Sequence, residues 1–194
     1  MSTSTNFAHE YNRIGKWSSC TLTNEPLDIP IVSDYKGNLY NKESILEYLL
    51  NPDDFTSNQK LLISHIKSLK DIVELKISKN QSNELICSIT GNILGSNGIP
   101  YIYLVKCQDI FAKKCLTTIH KDCLKCPVCD LEYSKDDIIV INPEIKEDII
   151  NQQERIEKLE SLGLTHSLKK QKNKKKRKDN DDKKPDSKIK RVKT

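Results

Sequence analysis

An α+β chain of two small tandem modules is predicted by three observations. The tetrapeptide Cys-x-x-Thr occurs twice, as Cys20-Thr-Leu-Thr23 and Cys87-Ser-Ile-Thr90, and each copy precedes a loop, short strand candidates and a helix. Five cysteines fall within the 23 residues from Cys107 to Cys129, where clustered thiols point to a metal. Charge is segregated: residues 169–194 hold 14 Lys and Arg against 4 Asp and Glu, and the remainder hold 18 against 23. The overall charge of +5 thus hides an acidic body and a basic tail with too little apolar surface to fold by burial.

Residues 1–15 are polar and read as disordered. The first module with its connecting strand is placed at 16–80. Asn24 and Pro26 mark a turn after Cys20, Ile29-Pro-Ile-Val is a strand candidate, and Lys36-Gly-Asn-Leu-Tyr40 is a tight turn into a second strand. Asn41 is positioned to N-cap a helix over 42–50, with Ile45, Leu46, Leu49 and Leu50 as its apolar face and Pro52 as its stop. Residues 51–60 read as a polar loop, 72–77 as a strand and 78–84 as a turn. The second module is placed at 85–142, with strands from Ile99 to Val105, a helix near 111–120 and a strand at 137–141. Asn142-Pro143 reads as a helix start and Gly163 as its stop, with Ile145, Ile149, Ile156, Leu159 and Leu162 forming an apolar stripe that packs on the modules or, in a scaffold reading, docks a partner. Residues 164–194 read as the disordered basic tail.

Cys126-Pro-Val-Cys129 has the two-residue spacing that lets both sulfurs face one zinc ion, and Cys107 supplies a third thiolate. With Asp109 two residues after Cys107, these four read as half of a RING finger, whose other half is missing because Thr90 stands where a second thiolate is needed. The expectation is one structural zinc per chain, with no open position for catalysis. Aspartate is a harder ligand than histidine beside soft thiolates, so Cys123, His120 and Cys115 remain alternatives for the fourth position. His65 is expected to be a packed or hydrogen-bonded histidine and Cys20 to be metal-free.

The segments Cys20-Thr-Leu-Thr-Asn-Glu-Pro-Leu, Gly37-Asn-Leu-Tyr-Asn-Lys-Glu-Ser-Ile45, Ser64-His-Ile-Lys-Ser-Leu-Lys-Asp71 and Cys126-x-x-Cys129 ahead of Asp137-Ile-Ile-Val-Ile-Asn142 together resemble the replication termination factor 2 family. The resemblance runs from about Trp17 to Leu168. It implies a U-box-like, metal-free first module and a degenerate RING-like second module holding one zinc through Cys107, Asp109, Cys126 and Cys129. Asp109 departs from the family's usual His or Cys. The resemblance further implies a nuclear protein that acts at replication forks, in pausing, termination and fork stability, or alternatively in pre-mRNA splicing. Its partners would be replisome or spliceosome proteins.

RING and U-box ubiquitin ligases carry no nucleophile and work by positioning a charged conjugating enzyme. Similarity places that patch at Leu22, Ile89 and Pro127, with simple packing as the alternative role for all three. Asp130 has the wrong charge for the basic residue that often follows the last zinc ligand. A ubiquitin- or SUMO-pathway ligase or adaptor is therefore kept as a competing reading. In the tail, Lys172-Asn-Lys-Lys-Lys-Arg-Lys178 and Lys188-Ile-Lys-Arg-Val-Lys193 resemble nuclear import signals for an import receptor. They also suit nucleic-acid phosphates, but without interleaved aromatics they do not support base stacking. No apolar run approaches the roughly 20 residues of a membrane span, and no signal-peptide core is visible, so an intracellular chain with reduced thiols and no membrane partner is expected.

Overall fold

The computed structural model describes residues 14–118 and 124–171. The expected disorder at 1–13 and 172–194 lies outside those residues. Strand β1 (Ile31–Ser33) pairs antiparallel with β2 (Leu39–Asn41), and helix α1 (Lys42–Leu50) follows at once, over the residues the apolar pattern marked. Helix α2 (Ser57–Leu62) occupies part of the stretch read as a polar loop. Thr56 and Gln59 cap it reciprocally, and this Thr-x-x-Gln capping box is a sequence signal that the loop reading passed over. Strand β3 (Val73–Glu74) then pairs with the other edge of β1. The short hairpin of β4 (Ser78–Lys79) and β5 (Leu85–Ile86) connects to the second half.

The second half repeats the first. Strand β6 (Tyr101–Leu104) pairs with β7 (Ile110–Ala112), helix α3 (Lys114–Thr118) follows, and β8 (Ile138–Val140) pairs with the other edge of β6. Both three-stranded sheets thus place their first strand in the centre, its hairpin partner on one side and the late strand on the other. The fold is α+β. Both sheets feed one hydrophobic core, which includes Ile31, Leu39, Tyr40 and Ile45 from the first and Tyr101, Ile102, Phe111 and Ile139 from the second. Gly37 sits where they press together. Its φ is 81°, and a Cβ there would lie 2.0 Å from the Val140 carbonyl oxygen, so only glycine fits.

The last helix, α4 (Lys146–Ser161), corrects two expectations. It starts three residues after Pro143, and Asn142 is a left-handed turn residue (φ 46°) whose side-chain amide donates to the Lys16 carbonyl. Its buried face is also more polar than the apolar stripe suggests: Asp148, Gln152 and Arg155 are buried beside Ile156 and Leu159. Ile145 and Ile149 are 57% and 49% exposed. The polar groups prevail because each meets a partner that local periodicity does not reveal. Gln152 accepts from the Val140 N–H (3.1 Å) and donates to the Tyr35 carbonyl (3.0 Å), joining both sheets through one side chain. Gly163 ends the helix in the left-handed conformation, as expected.

Residues 164–171 are packed on the body rather than belonging to a disordered tail. His166 is fully buried and the Ser167 N–H donates to the Lys70 carbonyl. Arg155 can only donate, so His166 Nδ1 accepts from it (2.9 Å), which leaves the ring proton on Nε2 to reach the Tyr103 oxygen (2.7 Å). The Tyr103 hydroxyl in turn donates to the Asp34 carbonyl (3.1 Å). Burial and the Arg155 charge push the His166 pKa down to about 3. A histidine depressed in the fold is protonated first in the unfolded chain. Stability therefore holds above the ordinary histidine value and falls with decreasing pH from about 6.5 towards 3. In urea titrations at successive pH values, we expect a slope of about 0.7 kcal/mol per pH unit at pH 6.5 that steepens to about 1.4 a unit or more below it. His166→Gln should flatten that slope; an equal slope in the variant would contradict the assignment.

Candidate metal centre

Among the described residues, three loops share one backbone hydrogen-bond pattern. At Cys126 the N–H donates to the Leu131 carbonyl (2.9 Å), the Asp130 N–H returns to the Cys126 carbonyl (2.9 Å), and the Tyr133 N–H reaches the Leu124 carbonyl (2.9 Å). Lys125 and Glu132 form a bridge across the base, and Asp130 takes the left-handed conformation. Shifted to Cys87, the same bonds join Cys87 to Asn92, Gly91 to Cys87 and Leu94 to Leu85, with an Ile86–Ile93 bridge and Gly91 left-handed. Shifted to Cys20, they join Cys20 to Glu25, Asn24 to Cys20 and Leu27 to Ser18, with a Ser19–Pro26 bridge and Asn24 left-handed. The knuckle shape is thus set by its own backbone hydrogen bonds. What differs is the residue three positions on, which is Cys129 in the third copy but Thr90 and Thr23 in the other two.

Only the third knuckle has both sulfurs. A hairpin turn brings its complement. Between β6 and β7, Gln108 is left-handed (φ 67°), its N–H donates to the Leu104 carbonyl (2.7 Å), and the Leu104 N–H donates to the Asp109 carbonyl (3.3 Å). The turn carries Cys107 and Asp109 to the knuckle, so that one ligand atom from each of Cys107, Asp109, Cys126 and Cys129 lies within 4.8 Å of the others. Tetrahedral zinc, with bonds near 2.3 Å to sulfur, needs sulfurs about 3.8 Å apart. Three sulfurs and one carboxylate oxygen at this spacing fit such an ion. Cys107, Asp109 and Cys126 are buried, and Cys129 is exposed at the rim.

Polar contacts run within the cluster. The Cys126 Sγ donates to Asp109 Oδ2 (3.5 Å) and accepts from the Val128 N–H (3.4 Å). Burial and the Asp109 carboxylate push the Cys107 and Cys129 thiols up. Burial also works to raise Asp109, but hydrogen bonds from the Cys129 and Cys107 thiols and the charge of Lys76 outweigh it and hold the carboxyl below its usual range. A bound cation would take the place of the thiol protons that the Asp109 carboxylate accepts.

The other sequence-derived candidates separate clearly. Cys115 is buried outside this group, while His120 and Cys123 lie outside the described residues. Cys20 is fully buried and accepts the Asn41 N–H (3.3 Å). His65 donates to Asp34 Oδ2 (2.8 Å), in a hydrogen-bonded role. Of the three residues assigned to a partner surface, Leu22 is only 1% exposed: the first knuckle turns it into the core, which removes it from any contact surface. Ile89 is 38% exposed and Pro127 is half-buried. Sequence reasoning missed Asp34, a buried carboxylate that also accepts from the Asn38 N–H (2.9 Å), the Asn38 side-chain amide (3.0 Å) and the Tyr40 hydroxyl (2.9 Å).

Among the described residues, repeated sheets, three knuckles and one complete ligand set define a small α+β protein with a knuckle-type site compatible with zinc. The chain belongs to the Rtf2 RING-finger family, which it matches over residues 3–194. It is 36% identical over 157 residues to Splicing factor rtf2 of Schizosaccharomyces pombe, covering 80% of this chain and 62% of that one. It is 33% identical over 157 residues to Replication termination factor 2 of Dictyostelium discoideum, covering 66% and 56%. With Replication termination factor 2 of Homo sapiens it shares 33% identity over 158 residues, covering 70% and 49%. The match thus spans about half to three-fifths of each relative's length. Among the described residues no helix is long and apolar enough to cross a membrane.

Proposed function

We propose that this protein is a nuclear factor acting at replication forks, in pausing, termination and fork stability, through protein contacts of its second module. The supporting observation is the family match over residues 3–194 together with relatives named Replication termination factor 2. In this reading the two halves are a U-box-like module (16–80) and a degenerate RING-like module (85–142). Cys107, Asp109, Cys126 and Cys129 hold one zinc, whose role is to cross-link the β6–β7 turn to the third knuckle. All four donors are protein groups, so the ion stabilises the fold and activates no water. Ile89 and Pro127 belong to the contact surface offered to replisome proteins or a ubiquitin-conjugating enzyme. The basic segment 169–194 serves an import receptor and, secondarily, nucleic-acid phosphates.

A second reading, in pre-mRNA splicing, is supported by the name Splicing factor rtf2 of the S. pombe relative. Recovery of the tagged protein on newly synthesised DNA, compared with the same DNA after a chase, separates the two. Enrichment that decays on chase is expected for a fork factor. Absence from nascent DNA with recovery in splicing complexes would overturn the fork reading in favour of the splicing one.

A further inference from the structure

Lys76 follows β3 and lies against the metal cluster. Its backbone N–H donates to the Gln108 carbonyl (3.0 Å), and it pairs with Asp109 as an isolated parallel bridge. This places its ammonium 3.7 Å from Asp109 Oδ1. The two carboxylate oxygens are thereby divided, with Oδ2 at the Cys126 sulfur and Oδ1 at the Lys76 cation. Metal-bound carboxylates are oriented by such outer partners.

Charge gives this geometry a purpose. Three thiolates and a neutral imidazole around a dication leave a net charge of minus one. With aspartate in the imidazole position the net becomes minus two, in a site where three of four ligands are buried. Concentrated charge away from water is costly unless paired. Lys76 supplies one positive charge at Oδ1, the oxygen opposite the Cys126 contact, and returns the local sum to minus one.

We propose that Lys76 is a positioning residue of the metal centre, the counter-cation that makes Asp109 an effective fourth zinc ligand. The inference rests on the zinc reading above. It assigns Lys76, which comes from the connector after the first sheet, a role in a site otherwise built from the second half of the chain. Its side chain is largely exposed and its strand contacts are made by backbone, so truncation leaves the fold intact.

The test is a zinc competition titration of the full chain against a chromophoric chelator at fixed pH and salt. Lys76→Ala is expected to weaken zinc binding by about 10- to 100-fold, the usual cost of losing such a partner, and Lys76→Arg to stay near the native value. In an Asp109→His background, where the extra negative charge is gone, Lys76→Ala should change affinity by less than about threefold if charge compensation is its role. A Lys76→Ala chain that binds zinc like the native one overturns the proposal, as does an equal loss in both backgrounds, which would make the lysine a scaffold only. A native chain that takes up no zinc overturns the metal reading itself, and the first titration point distinguishes that failure.

Discussion

Replacing Cys126 with serine is expected to abolish stoichiometric zinc and to lower the melting temperature of the chain by about 8–16 °C. Cys126 is the best anchored of the four donors. It is fully buried, its sulfur accepts the Val128 N–H, and its backbone closes two of the knuckle's hydrogen bonds. Structural zinc sites contribute folding energy directly, because the unfolded chain has no preformed site. Here a shared hydrophobic core also stabilises the knuckle, so the loss is smaller than in an isolated finger; we expect about 4 kcal/mol, which gives the stated shift for a chain of this length. Purified native chain should carry one zinc, Cys126→Ser less than about a tenth of one, and Cys115→Ser a full equivalent, since Cys115 stands outside the cluster. Zinc retained by Cys126→Ser, or a native ratio near zero or two, would contradict the assignment. The pH dependence has a definite sign. The Cys107 and Cys129 thiols are pushed up, so both are protonated at neutral pH, and zinc must displace those protons. Cys126 likewise gives up the proton it donates to Asp109, so apparent affinity should climb with pH, by up to about a thousandfold per unit for three protons.

Those four residues could be read from the sequence because their information is local. Two residues between Cys126 and Cys129, and one between Cys107 and Asp109, already restrict geometry. The same holds for α1, whose Asn41 start and Pro52 stop bound a helix wholly contained in one stretch of chain. Asn41 flanks that helix without capping it by its side chain, which accepts the Asp28 N–H and donates to the Pro26 carbonyl. The features that escaped are buried polar groups with distant partners. Asp34 lies 31 residues from His65, and Gln152 lies 117 residues from the Tyr35 carbonyl it caps. A hydropathy pattern assigns Asp148, Gln152 and Arg155 to solvent, and only the assembled sheets show what satisfies them. The knuckles at Cys20 and Cys87 illustrate a related blindness. Their cysteines suggested kinship with the metal loop, but backbone hydrogen bonds that persist without a second thiolate leave no mark in a ligand motif. Leu22 was misplaced because its loop packs into the core, whereas Ile89 and Val128, at the same position of the other two knuckles, are exposed.

Asp34 replaced by alanine should cost about 3–5 kcal/mol while leaving zinc content at one per chain. The two hairpins show why these effects separate. In the second, left-handed Gln108 is followed by Asp109, which turns to the metal cluster just before β7. In the first, left-handed Gly37 is followed by Asn38, which turns to Asp34 just before β2. At corresponding turns, one half gathers three thiols around a carboxylate and the other gathers an amide, a phenol and an imidazole around a carboxylate. Burial works to raise the Asp34 pKa, but the hydrogen bonds and charge of His65 and the bonds from Asn38 hold it below the usual range, so it is ionised at neutral pH. Alanine leaves the buried Tyr40 hydroxyl and the partly buried Asn38 and His65 donors without this acceptor, at about 1–3 kcal/mol for the buried group and less for the other two. Asp34→Asn keeps the shape and one acceptor, and is expected to cost roughly half as much. The measurement is urea unfolding with zinc analysis on the same samples. Loss of stability with full zinc means that the hydrogen-bond cluster secures the first half independently of the metal. Loss of zinc in step with stability would mean that the two clusters act as one unit through the Asp34 carbonyl and Tyr103, and the separation argued here would be wrong.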